Sequence, residues 1–188
     1  LLVNGYLEGD NIYCTLCDDR SATHHAAGKL IASGCRSILY LYTSHSYSGL
    51  NKIQGYKDAL SDLEFPVRKE LIHQCTKNLT AAKQLIGELA DSGLEFDAIM
   101  TSDDSLAVGA VKYAHARHIA IPEKLAIIGY NNSILSYCTD PEISSIDTKV
   151  EELCINTVNT LMGVFDGGNV PAKTIIAADF IQRQTTNF

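Results

Sequence analysis

Short apolar runs of strand length alternate along this chain with longer stretches in which apolar residues recur every three or four positions. The clearest unit lies between Phe96 and Ser133. Phe96–Met100 is β-prone and apolar, the length of a buried strand. Ser102, Asp103 and Asp104 follow, all residue types that cap a helix start. Leu106, Ala107, Ala110, Val111 and Ala114 then share one helical face, and Pro122 closes the segment. Leu125–Ile128 is a second buried strand, left by Gly129, Tyr130, Asn131 and Asn132. Strand, helix, strand predicts a right-handed crossover between parallel strands, so both strands end on one sheet edge. That edge carries Ser102 and Asp103 from one strand and Tyr130, Asn131 and Asn132 from the other. Ligands of open α/β sheets bind outside such an edge.

The same alternation runs through the rest of the chain. Leu1–Val3 reads as a strand end with Asn4 at its tip, and Tyr13–Leu16 as a short strand. Ser21 is a candidate cap for a helix striped by Ala22, Ala26, Ala27, Leu30 and Ile31, with Gly34 as its stop. Ser37–Tyr42 is a strand, Thr43–Gly49 a polar loop, and Leu50–Leu63 a helix with Lys52 in its first turn. A cation there opposes the helix dipole, so Lys52 is either a solvated side chain or a ligand group. Val67–His73 reads as a weaker strand, then Asn78 or Thr80 caps a helix ended by Gly93. Tyr137–Ser145 is irregular around Pro141, Glu151–Phe165 is helical, and Thr174–Ile181 is a last strand. The class is therefore α/β with a largely parallel sheet.

Charge and cysteine content narrow the function. With 188 residues and a net charge of −7, the chain suits one domain or two small lobes and offers no basic face for nucleic acid. No apolar run approaches a membrane span. The six cysteines lack the density of a disulfide scaffold and suit free thiols in a reducing compartment. Cys14-Thr-Leu-Cys17 has redox or zinc spacing, but it lies in a strand-like run and has no second pair. His24-His25 are adjacent on a helix and so do not converge; His115 and His118 have helical metal spacing but no third ligand. Asp103-Asp104 could be a catalytic carboxylate pair, yet acids at a helix N-terminus need no further role. No nucleophile elbow, phosphate loop or dinucleotide fingerprint is present. Neither an enzyme, a metal nor a cofactor is expected.

The ordered motifs carry a resemblance. TSDDSLAVGAVKYAHARHIAIPEKLAIIGYNNS resembles the effector-binding core of lactose-repressor-type (LacI/GalR) transcriptional regulators, which show Asn-Asp, Ala-x-Gly, a helix, a Pro and a strand ending Gly-Phe/Tyr-Asp. SGCRSILYLY, NKIQGYKDAL, DPEISSIDTKVEEL and FIQRQTT are similar to further segments of that family, in the family's order and over nearly the whole chain.

The resemblance implies a periplasmic-binding-protein-like sensor core of two lobes: 1–34 plus 147–170 as a partial N-terminal lobe, and 35–146 plus 171–188 as the C-terminal lobe. It implies that strand–helix units and a helix-turn-helix headpiece precede the point matching Leu1, so the chain is expected to be an incomplete copy. It also implies a cytoplasmic homodimeric repressor, which senses a sugar-like effector and reaches DNA only through that headpiece. A periplasmic sugar-binding protein of a transport system is the alternative. Carried over by position, the effector contacts fall at Asn4, Ser48, Lys52, Ser102 and Asn131. The family tends to have Asp at the positions of Asn4 and Asn131, Asn at Ser102 and Arg at Lys52. An amide offers one acceptor and one donor group where a carboxylate only accepts, and Lys is a point charge where Arg forks. Glycosides, nucleoside-like rings and carboxylates therefore all stay open as ligands.

Overall fold

The six-stranded sheet at the centre of the molecule reads its alternation directly from the sequence. The computed structural model describes residues 1–188. In chain order its elements are β1 (Leu2–Val3), β2 (Cys14–Cys17), α1 (Asp19–Ala32), β3 (Ile38–Tyr42), α2 (Tyr47–Asp62), β4 (Ile72–Gln74), α3 (Leu79–Asp91), β5 (Ala98–Thr101), α4 (Asp104–Ala116), β6 (Ala126–Tyr130), β7 (Ser144–Asp147), α5 (Val150–Phe165), β8 (Lys173–Ile176) and β9 (Asp179–Ile181). The larger sheet has the order β4-β3-β5-β6-β7-β9, parallel except for the β7–β9 pair. The smaller sheet, β1-β2-β8, is wholly parallel.

Each strand of the larger sheet sends alternate side chains to two cores. Leu39, Leu41, Ile99 and Ile127 face α3 and α4, with Ile86, Leu106, Ala110 and Val111. Ile38, Tyr40, Ala98, Met100, Ile128 and Tyr130 face α1 and α2, with Ala27, Leu30, Ile53 and Tyr56. Strands buried on both faces read as continuous apolar runs, which is why the ILYLY and AIM runs lack any polar alternation. Each fully buried aliphatic side chain there contributes about 1.5–3 kcal/mol.

The lobes divide elsewhere than the resemblance implies. Helix α1 leaves the smaller sheet's β2 but packs against α2 on the larger sheet, so the boundary falls near Asp18 rather than after residue 34. Its alanines make this possible: Ala26 and Ala27 are fully buried, and a Cβ at Gly55 of α2 would overlap the Arg20 carbonyl of α1. The expected strand over Thr174–Ile181 is two strands. β8 extends the smaller sheet beside β2, and β9 pairs antiparallel with β7 in the larger one. The chain thus passes between the lobes three times, at Asp18, between β7 and α5, and at Ala177-Ala178.

Other differences are local. The strand expected over Val67–His73 is a 3-10 turn, Lys69–Leu71, followed by the short β4. The caps are Asp18 for α1, Ser46 for α2, Asn78 for α3 and Asp103 for α4; Ser21 and Ser102 are not caps. β7 lies in the stretch read as irregular. In the smaller lobe α5 packs on β2 and β8 and exposes Ile155, Val158, Leu161, Met162 and Phe165.

The close crossing at Gly55 gives a direct check on this division. Gly55→Ala is expected to lower stability by about 1–3 kcal/mol, because backbone on the facing helix cannot yield to a methyl group. Gly28→Ala on α1, where a Cβ meets open space, should instead raise it by about 0.5–1 kcal/mol. Urea unfolding of both variants measures this; equal effects would contradict the α1–α2 contact.

Candidate functional site

The carboxyl edge of the larger sheet gathers an unusual share of the molecule's buried polar groups, each held by its own geometry. β5 ends in Thr101, whose hydroxyl donates to the Ile128 carbonyl and so ties β5 to β6. Ser102 follows, buried, its Oγ accepting the Thr43 N–H at 3.1 Å from the end of β3. Asp103 caps α4 and accepts from the Ser105 backbone and hydroxyl. Its other oxygen accepts from Lys77 Nζ at 2.6 Å and from Asn131 Nδ2 at 3.0 Å.

Asp104 points into the protein instead. Its carboxylate accepts from the Ser133 backbone, the Ser133 hydroxyl and the Ser145 hydroxyl, at 2.7, 2.8 and 2.7 Å. Burial pushes its carboxyl above the ordinary value, and those donors pull it back. Three donated hydrogen bonds favour the ionised form. A Cβ at Gly129 would overlap it, so the glycine in Gly129-Tyr130-Asn131-Asn132 is required by this contact. Asn131 and Asn132 both adopt positive φ, 97° and 50°, a region asparagine tolerates better than most residues.

The amides are oriented by their partners. Asn131 faces a carboxylate, which only accepts, so its NH2 points there and its carbonyl is free. Asn4, at φ 52° after β1, accepts the Cys17 N–H on Oδ1 at 3.0 Å, which leaves its NH2 free. Ser48 lies half-buried in the first turn of α2. Its neighbour Tyr47 meets Tyr6 of the smaller lobe with ring centroids 5.5 Å apart, which brings the loop after Asn4 against the start of α2.

Of the two sequence readings of Lys52, the structure overturns the solvated one. Lys52 is only 9% exposed. Its ammonium sits 3.7 Å from the centroid of the Tyr130 ring, 3.4 Å from the Ser102 carbonyl and 3.9 Å from Asp19 Oδ1. Tyr130 in turn donates its hydroxyl to Asp19 Oδ1 at 2.7 Å. Burial lowers the Lys52 ammonium below its ordinary range, and Asp19 opposes that shift. Asp19 and Lys77 are the site residues that sequence reasoning missed. The doubled Asp18-Asp19 was a signal: one acid suffices to cap α1, and the second is buried.

Ser102, Lys52 and Asn131 are therefore neighbours on one edge, and the Tyr6–Tyr47 contact brings the segment after Asn4 against the helix start that carries Ser48. An open cavity of about 670 Å³ borders Asn131, Asn132 and Ser133 and runs to Asp147, Lys149 and the start of α5. Asn4, Ser48, Lys52 and Ser102 do not line it. The Cys14–Cys17 pair lies in β2, buried, with both thiols free. Burial chiefly, with Asp19 adding to it, pushes the Cys17 thiol up to about 12.

The chain thus forms two lobes crossed three times, with a polar carboxyl edge on the larger sheet. The chain belongs to the periplasmic binding protein-like domain family, whose model matches residues 27–186. It is 50% identical over 188 residues to an HTH-type transcriptional regulator of Lachnoclostridium phytofermentans, covering all of this chain and 56% of that protein. It is 26% identical over 186 residues to the HTH-type transcriptional regulator AscG of Escherichia coli, covering 98% of this chain and 55% of that one. The crystal structure of the Escherichia coli repressor ascG superposes with a TM-score of 0.88 at 26% identity, over 98% of this chain and 68% of that one. A sugar-binding LacI-family regulator from Escherichia coli, complexed with phosphate, superposes with a TM-score of 0.90 at 26% identity, over 98% and 66%. The relatives are LacI/GalR-type regulators, neither enzymes nor transport proteins, which favours the regulator over the transport alternative. The chain spans about half the length of the curated relatives it matches. No helix is long and apolar enough to cross a membrane.

The thiols give a test of the packing at this edge. A raised pKa leaves roughly one Cys17 thiol in ten thousand ionised at pH 8, so a maleimide should modify exposed Cys138 and Cys154 first. Cys14 and Cys17 should react only after urea unfolds the protein. Mass spectrometry of the labelled peptides reads the order; rapid native labelling of Cys17 would contradict its burial.

Proposed function

We propose that this chain is the effector-sensing core of a LacI-type transcriptional regulator. In this reading a small, sugar-like molecule settles in the crevice between the lobes and alters operator affinity. The observation that carries it is the convergence of Ser102, Asp103 and Asn131 on one sheet edge, with Tyr6 of the smaller lobe packed on Tyr47 at the start of α2. The ligand contacts in this reading are Asn4, Ser48, Ser102 and Asn131. The similarity to transcriptional regulators supports the regulatory part, and the sugar-binding regulator of similar fold supports the ligand class.

The mechanism is linkage. A ligand that bonds to both lobes favours one arrangement of them, and the three crossings are the hinge that transmits this choice. DNA contact belongs to a headpiece outside this chain, since a net charge of −7 offers no phosphate-binding face. The apolar face of α5, from Ile155 to Phe165, suits packing against further parts of the same lobe in a longer protein. The intact protein is read as a cytoplasmic homodimer, placing two headpieces on two half-sites.

The test uses full-length protein on its own operator. A cognate sugar should change operator affinity, and an operator with one half-site should bind far more weakly. Asn131→Ala should weaken ligand binding by about 1–3 kcal/mol, the cost of a lost hydrogen bond, and lower stability by about 1–2 kcal/mol because alanine is strained at φ 97°. Ligand titration by calorimetry and DNA binding by fluorescence anisotropy measure both. Operator affinity indifferent to every small molecule, or full ligand affinity in Asn131→Ala, would contradict the reading.

A further inference from the structure

The aspartates and cations at the carboxyl edge of the larger sheet hold one another or neighbouring polar groups, which limits what the crevice takes. Four carboxylates, Asp19, Asp103, Asp104 and Asp147, lie along it. Asp19 holds the Tyr130 hydroxyl and the Lys52 ammonium. Asp103 holds Ser105, Asn131 and Lys77. Asp104 holds Ser133 and Ser145, and Asp147 holds the Asn132 amide and the Lys149 N–H. Of the acids that border the open cavity, only the exposed Glu151 and Glu152 at the start of α5 form neither an ion pair nor a side-chain hydrogen bond.

The cations are committed likewise. Lys52 lies under Tyr130 and against Asp19, buried, and does not line the open cavity. Lys149 reaches Asp179 at 2.9 Å. Arg183 is buried and forks to the Ile143 carbonyl and the Asn132 carbonyl oxygen. Lys77 is the exposed one, and it neutralises Asp103. An anion entering here would meet more carboxylates than free cations, and extracting Lys52 would leave Asp19 buried and unpaired.

On the larger sheet's edge and at Asn4, what remains free is neutral. The Asn131 carbonyl accepts, the Asn4 NH2 donates, and the Ser102 hydroxyl keeps its proton to give while its oxygen accepts from Thr43. We infer that this side of the crevice selects an uncharged, hydroxyl-bearing ligand and rejects its phosphorylated or carboxylated counterparts, with Lys52 acting as an internal counter-ion instead of a ligand contact. The inference rests on the crevice being the ligand site, as proposed above, and goes further in fixing the charge of what binds.

The test is a thermal-shift and calorimetric comparison on the full-length protein. The probes are neutral mono- and disaccharides, such as glucose, cellobiose and lactose, each beside its 6-phosphate or its aldonic or uronic acid. At least one neutral probe should stabilise the protein and bind at least roughly tenfold more tightly than its anionic counterpart, the penalty of an ion without a partner. An anionic probe that binds as well as or better than its neutral match overturns the inference and leaves the ligand-site reading standing. If no probe of either kind binds, the site reading fails and takes the inference with it. The double variant Lys52→Met/Asp19→Asn removes both buried charges together. Its affinity for the neutral ligand should stay within roughly threefold of the wild type, since neither group touches it. A loss of about thirtyfold or more, in a variant that unfolds at the wild-type urea midpoint, would put Lys52 in contact with the ligand and overturn its role as counter-ion.

Discussion

Buried charge at the end of a parallel sheet is the constraint that orders this molecule. An ion taken out of water costs several kcal/mol unless it finds partners. Here Asp19, Asp104 and Lys52 are almost wholly covered. Each is therefore fixed: Asp104 by three serine donors, Asp19 by the Tyr130 hydroxyl, and Lys52 by the Tyr130 ring, Asp19 and the Ser102 carbonyl. These bonds join the ends of β5, β6 and β7 to the starts of α1, α2 and α4.

The lobe boundary follows from the same group. Asp19 opens α1, one residue past the crossing from the smaller sheet. Its bond to Tyr130 on β6 holds the helix start against the larger sheet, and the small residues of α1 let it lie close along α2. The crossing is thus short and anchored at one end, which suits a hinge that moves the lobes without unfolding either.

The parts of the fold that were legible in the sequence are those set by periodicity. The crossover from Ala98 to Tyr130 was readable because its strands are buried on both faces and its helix is striped with alanine and valine. Strand β7 was hidden because its inward positions are Ser144 and Ser145, which satisfy Thr186 and Asp104 by hydrogen bonds instead of adding apolar bulk. The two-strand split at Ala177-Ala178 was hidden because nothing local marks a change of sheet. For the site, Asn131 and Ser102 could be placed on one edge from topology alone, and their bonds to Asp103 and Thr43 follow that placement. Lys52 could not be placed. Its surroundings come from residues 33 positions earlier and 78 later in the chain, Asp19 and Tyr130, and no spacing rule joins them. A lysine in the first turn of a helix looks solvated until its partners are known.

The buried charges act as a unit, and a double-mutant cycle over Lys52 and Asp19 measures that most directly. Urea unfolding of Lys52→Met, Asp19→Asn and the double variant gives the coupling free energy. The structure predicts a favourable coupling of about 1–3 kcal/mol, with each single variant less stable than the double, because each strands a buried group that the double variant removes. Additive effects, with a coupling indistinguishable from zero, would mean that Lys52 and Asp19 do not hold each other and that the edge is not organised as described.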